Sequence, residues 1–149
     1  MKRLLTMLAV ALLVGCQQSA PQAKYVFYFI GDGMGLAQVA LAEAWLAHTE
    51  DEIGFEKLSF TEFPVFGTAT TFSTYNFITC SSASGTALAT GHKTVNGMLG
   101  VTPDTLDLEA ITYKIKKAGY RVGITSTVTL DHATPGAFYA NAASRSDYY

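Results

Sequence analysis

Three polar clusters in this 149-residue chain carry residue types suited to chemistry. The first, Gly31-Asp32-Gly33-Met34-Gly35, places one carboxylate among glycines that let the backbone approach a ligand closely, which suits a hard or borderline cation. A dinucleotide fingerprint is out of register, because G-x-G-x-x-G needs glycine at position 36 and the chain has Leu36 there. The second, Thr79 to Thr94 (TCSSASGTALATGHKT), crowds hydroxyls where a helix should begin, and free N–H groups at such an end favour an anion such as phosphate. A serine placed there beside a metal can lose its proton and become a nucleophile. The third cluster, Asp131-His132-Ala133-Thr134-Pro135 followed by Ser144-Arg145, adds an imidazole and a guanidinium able to clamp two phosphoryl oxygens. Taken singly, each has a plainer explanation. Asp32 can cap a helix, the Ser and Thr residues can be caps and packing, and Arg145 can be a solvated charge.

The elements around these clusters decide whether the residues can meet. Residues 25–30 (YVFYFI) form an aromatic and β-branched run of strand length, and 36–48 (LAQVALAEAWLAH) is built of strong helix formers. On that helix Leu36, Val39, Ala40, Ala44 and Ala47 share one face, with Glu43 near the other. Residues 65–73 favour a strand and 83–90 a tightly packed helix of small residues. A helix is predicted over 108–118, capped by Asp107 and stopped by Gly119, then a strand over 121–128 and a helix starting at Thr134-Pro135 and running over 136–142. This alternation implies an α/β fold with a parallel sheet, whose chemistry gathers in the loops beyond the strand ends. The three clusters occupy such loops.

Composition narrows the function classes. Ten basic against twelve acidic residues leave no surplus of positive charge for a nucleic-acid backbone. Lys2 and Arg3 precede the apolar run from Leu4 to Val14, which is too short to span a membrane and reads as a signal peptide over 1–15. Its end, Leu13-Val14-Gly15-Cys16, resembles a bacterial lipobox, making Cys16 the expected lipid attachment site and 16–24 a polar tether. Losing the signal takes the formal charge from −2 to −4. The expected destination is export, with the protein anchored to a bacterial membrane and facing the periplasm or cell exterior. With Cys16 lipidated, Cys80 is the remaining thiol and forms no intrachain disulfide.

In order and wording, the GDGMG turn, the Ser81 segment running into ATGHKT and Asn96-Gly97, then GITST, DHATPGAF and Ser144-Arg145, resemble the N-terminal portion of the alkaline phosphatase family. The resemblance spans the mature chain. It implies a parallel-sheet three-layer sandwich of alkaline-phosphatase-like type, incomplete over 25–149, and metal-dependent hydrolysis of small phosphomonoesters through a phosphoserine. Carried over by position, Asp32 matches the carboxylate that bridges a zinc and the magnesium, and Ser81 matches the metal-contacting serine that is phosphorylated. His132 and Thr134 match the third-metal site. Arg145 matches the arginine that holds the phosphoryl oxygens, while Gly31, Gly33 and Gly35 match the turn beneath the metals. Two zinc ions and one magnesium are the implied cofactors, and the resemblance leaves a homodimer open.

Departures from the family pattern sharpen the expectations. Cys80 stands where the family usually has an aspartate that helps orient the arginine, so a neutral thiol predicts a looser Arg145 and weaker phosphate retention. Ser82 stands where alanine or glycine is common, which makes it the runner-up nucleophile. His48, at the end of an amphipathic helix, is expected at the surface, and His92 occupies a variable place in the TGxKT turn; neither substitutes for the missing zinc ligands. Most of the family's zinc ligands lie in the second half of a longer chain, so 149 residues are expected to be the N-terminal fragment of a phosphatase. The competing readings are a related superfamily phosphodiesterase or sulfatase, and a non-catalytic lipoprotein that binds phosphate or metal; the sulfatase Cys-x-Pro-x-Arg context is absent.

Overall fold

The computed structural model describes residues 23–147, so the expected signal, Cys16 and most of the tether lie outside the described residues. Two compact units divide after Ile30. In the first, residues 23–30 run extended with exposed aromatic side chains, and the rings of Phe27 and Phe29 stack with centroids 6.5 Å apart.

The second unit, Gly31 onward, holds four helices among the described residues. Helix α1, Leu36–Thr49, starts where the Gln38 side chain reaches back to accept the Gly35 N–H at 2.9 Å, supplying a partner to one end donor. Its inward face differs from the expected one. Glu43 is buried at 7% exposure with Ala47 one turn on, while Leu36 is 82% exposed. The cause is the returning segment: the Thr61 hydroxyl and the Leu58 N–H both donate to Glu43 Oε1, at 2.6 and 3.3 Å, and Lys57 lies 4.0 Å from Oε2. A carboxylate so solvated by the chain can be buried at little cost.

Helix α2, Ser81–Thr90, is the centre of the core. Its small side chains let neighbours approach: a Cβ on Gly85 would stand 3.1 Å from the Ala137 Cβ and 3.5 Å from the Ala133 carbonyl oxygen. Helix α3, Ile111–Lys117, and the single turn α4, Ala133–Gly136, both pack on α2, α4 more extensively. Between them lie Ala83, Ala89, Leu99, Val101, Ala110 and Phe138, with Thr86 buried and linking layers, since Gly100 N–H donates to its hydroxyl at 2.8 Å.

Several expected elements are shorter or absent. Helix α3 begins after Ala110 instead of Asp107, because Asp107 is taken up in a bridge with Val101; it stops, as expected, at Gly119, which turns with φ +91°. The helix predicted to run over 136–142 is confined to α4 and the turns that follow it, after which Ala142 pairs with Leu99. None of the runs 25–30, 65–73 and 121–128 forms a strand: among the described residues β pairing is limited to two isolated antiparallel bridges. A strand in a parallel sheet takes its ladder from neighbours delivered by crossover connections. Among the described residues these runs have no such neighbour, and Val65, Phe66 and Val128 are exposed. No helix among the described residues is long and apolar enough to cross a membrane.

Candidate active site

The site is built on a turn. Met34 N–H donates to the Gly31 carbonyl at 3.1 Å, and Gly33 takes φ +68°, a left-handed conformation that favours glycine. That turn holds Asp32 where both its oxygens are used. Ser81 Oγ donates to Oδ1 at 3.3 Å and Thr134 Oγ1 donates to Oδ2 at 2.8 Å. Residues 49 and 102 positions away in sequence thus meet on one carboxylate.

Each hydroxyl is positioned by packing. Ser81 is the first residue of α2 and is half-buried. Ser82 is fully buried at 0% exposure and its hydroxyl lies 3.1 Å from Cys80 Sγ, so it is no alternative nucleophile. Thr134 belongs to α4, held against α2 at Gly85.

His132 caps the N-terminus of α4 with its backbone, and its Nδ1 is buried without a hydrogen-bond partner, as is Asp131 Oδ1. An orphaned ring nitrogen two residues before Thr134 fits a cation ligand, and the Asp32 and Thr134 oxygens suit a hard ion such as magnesium. Zinc requires about three protein ligands per ion. Among the described residues no group of three or more His, Cys, Asp or Glu stands together. His48 is exposed, as expected, and His92 is exposed too.

Arg145 is half-buried and fixed through its backbone, whose N–H donates to the Gly97 carbonyl at 2.7 Å. Its guanidinium pairs with no carboxylate among the described residues and is not hydrogen-bonded to the Asp32 group. Cys80 Sγ accepts the Gly97 N–H at 3.2 Å. Burial pushes the thiol up, but hydrogen bonding to Ser82 and to the N–H groups of Ala83, Gly97 and Ser82 outweighs this and holds it below the ordinary thiol range. The residue that sequence reasoning passed over is Asn96: its Oδ1 accepts the Cys80 N–H at 3.1 Å and its Nδ2 donates to the Ile78 carbonyl at 3.0 Å. The Asn-Gly dipeptide, a strong turn signal, was the cue.

Comparison with known proteins decides the family: the alkaline phosphatase profile matches residues 23–149. The chain belongs to the alkaline phosphatase family. It is 35% identical over 144 residues to the membrane-bound alkaline phosphatase of Bombyx mori, covering 88% of this chain and 26% of that protein. With the alkaline phosphatase of Escherichia coli (strain K12) it shares 36% identity over 132 residues, 85% of this chain and 27% of the relative. The chain therefore spans about a quarter of the length of the curated relatives it matches. Among solved structures, the cold-active alkaline phosphatase of Shewanella sp. superposes with a TM-score of 0.72 at 35% identity, over 80% of this chain and 30% of that one. A variant of the TAB5 alkaline phosphatase, solved with Mg bound in its M3 site, aligns with a TM-score of 0.63 at 28% identity, covering 78% and 31%. The fold is accordingly alkaline-phosphatase-like.

Proposed function

We propose that the protein hydrolyses small phosphomonoesters through a phosphoserine on Ser81. The observation that supports this reading is the meeting of the Ser81 and Thr134 hydroxyls on the Asp32 carboxylate at the N-terminus of α2. Asp32, Thr134 and His132 would hold the magnesium, and Asp32 with Ser81 would face the zinc ions. Bound there, the cations supply positive charge that lowers the pKa of the Ser81 hydroxyl and offsets charge on the phosphoryl group.

The protein's own groups do the remaining work. Asp32 accepts the Ser81 hydroxyl and so aims Oγ outward from the helix end. Oγ loses its proton and bonds to phosphorus while the ester P–O bond breaks and the alcohol leaves. The Arg145 guanidinium stabilises the equatorial oxygens through this step. Water then attacks phosphorus from the opposite side, releasing phosphate and restoring the hydroxyl. Such displacement depends on charge and alignment more than on acid–base side chains, in keeping with a site that lacks a carboxylate pair.

The full architecture belongs to the same proposal: a three-layer sandwich with a parallel central sheet containing runs 25–30, 65–73 and 121–128. So does export with a lipid at Cys16, which holds the protein on a bacterial membrane facing the periplasm or exterior, and assembly as a homodimer. The deciding experiment is hydrolysis of para-nitrophenyl phosphate with zinc and magnesium present. Turnover that vanishes in Ser81→Ala and after chelation, with radiolabelled phosphate trapped on Ser81, supports the reading. Full activity in either treatment refutes it, and phosphate or metal binding without turnover assigns the non-catalytic role.

A further inference from the structure

We propose that the Asn96-Gly97 turn is a positioning bracket that sets Arg145 relative to Ser81. The inference rests on the phosphatase reading. A turn that serves only to reverse the chain satisfies its polar groups locally, and here they are directed outward to the two segments that carry the reacting side chains. Asn96 Oδ1 accepts from Cys80 N–H at 3.1 Å, next to Ser81, and Asn96 Nδ2 donates to the Ile78 carbonyl at 3.0 Å. Gly97 N–H donates to Cys80 Sγ at 3.2 Å, and the Gly97 carbonyl accepts from Arg145 N–H at 2.7 Å. One dipeptide thus joins the residue before Ser81 to Arg145 itself.

The register beyond the turn keeps this link rigid. Leu99 and Ala142 exchange both backbone hydrogen bonds, at 3.0 and 2.8 Å, and the Asn141 side chain donates to the carbonyls of Gly100 and Leu108. The segment carrying Arg145 is therefore zipped to 97–100, and 97–100 is fastened to α2 through Thr86. Gly97 adopts φ +92°, and a Cβ there would meet nothing within 4 Å. Glycine is needed at that position for its backbone conformation and not for space. Asn96 touches no reacting atom; anchored on Cys80, the residue before Ser81, it acts through the placement of Arg145.

The test uses the full-length, metal-loaded protein, with kcat and KM for para-nitrophenyl phosphate and the inhibition constant for inorganic phosphate as readouts. Asn96→Ala is expected to lower kcat/KM about tenfold and to weaken phosphate inhibition in step, the scale of a sub-ångström misplacement. Placed on Arg145→Ala, the same change is expected to add less than about twofold, because the group it positions is gone. Gly97→Ala, which disturbs the bracket from its backbone without adding charge, should show the same pattern and stands in if Asn96→Ala does not fold. Losses that multiply fully with Arg145→Ala, or unchanged phosphate inhibition in both variants, overturn the bracket while leaving the phosphatase reading intact. An inactive wild-type protein overturns both.

Discussion

Gly85→Ala tests whether the spacing of α2 and α4 sets the geometry at Asp32. The added Cβ would stand 3.1 Å from the Ala137 Cβ and 3.5 Å from both the Ala133 carbonyl oxygen and the Thr134 Cα. Ala137 is 1% exposed and its methyl has no rotamer to change, so relief requires the helices to separate by a few tenths of an ångström. Two effects oppose each other in stability. Alanine in a helix interior gains about 1 kcal/mol over glycine, while overpacking costs roughly 1–3 kcal/mol, leaving a net loss of about 0–2 kcal/mol. Activity has no such compensation, because the moving turn carries Thr134 and its hydrogen bond to Asp32. A displacement on this scale is expected to reduce kcat/KM by about tenfold. Denaturant midpoints and para-nitrophenyl phosphate kinetics on Gly85→Ala, Ala137→Gly and the double variant make the measurement. The double variant removes the opposing methyl and should recover most of the lost rate. Unchanged kcat/KM in Gly85→Ala, or no recovery in the double variant, refutes the claim that this contact sets the site.

Thr86→Val keeps the side-chain shape but leaves the Gly100 N–H buried without an acceptor; it should cost about 1–3 kcal/mol and speed hydrogen exchange at the Gly100 amide. Thr86→Ser, which keeps the hydroxyl, should protect that amide as the wild type does. The Glu43 carboxyl is held below its ordinary value, first by the Thr61 hydroxyl and then by the Leu58 N–H. A lowered folded-state pKa stabilises the fold above the unfolded value of about 4.3 and loses that contribution as pH falls through the folded one. Acid unfolding of Glu43→Gln should therefore be less steep below about pH 4.3 than in the wild type, and parallel acid limbs would contradict this. Cys80→Asp restores a full charge beside the Gly97 N–H and should tighten inhibition by inorganic phosphate severalfold, since hydrogen bonds to charged groups run about 1.5–3 kcal/mol; an unaltered inhibition constant would exclude a role for this position in holding phosphate.

What was legible in the sequence followed the range of the forces involved. Helices α1 and α2 were visible because helix formation is local, and the Gly119 stop was visible because a left-handed terminus favours glycine. The burial of Glu43 was not: the pattern placed it outward, and only the return of Leu58 and Thr61, 15 and 18 residues on, makes its interior position affordable. The strands failed for a related reason. Runs such as YVFYFI carry strand propensity, but a ladder is made between segments, and the chain spans about a quarter of its curated relatives. Their Phe and Val side chains, such as Phe27, Phe29, Val65 and Phe66, are exposed.

The site was more legible than the sheet, and the difference is chemical. Asp32, Ser81 and Thr134 could be named because each is an unusual group at a structural punctuation mark: a glycine turn, a helix start, a Thr-Pro. Their meeting needs only α2, α4 and the Asp32 turn, all within one compact unit. Cys80 shows the limit of naming by type. Read as a thiol in place of a carboxylate it implied a vacancy, yet the sulfur occupies the acceptor position, taking the Gly97 N–H and meeting Ser82 Oγ. The sulfur accepts from Gly97 N–H, seventeen residues further along, while Asn96 Oδ1 accepts the Cys80 N–H. The identity of one residue thus becomes interpretable only once the turn facing it is placed, which is why Asn96, a mere turn signal in the sequence, carries the connection from Ser81 to Arg145 in the fold.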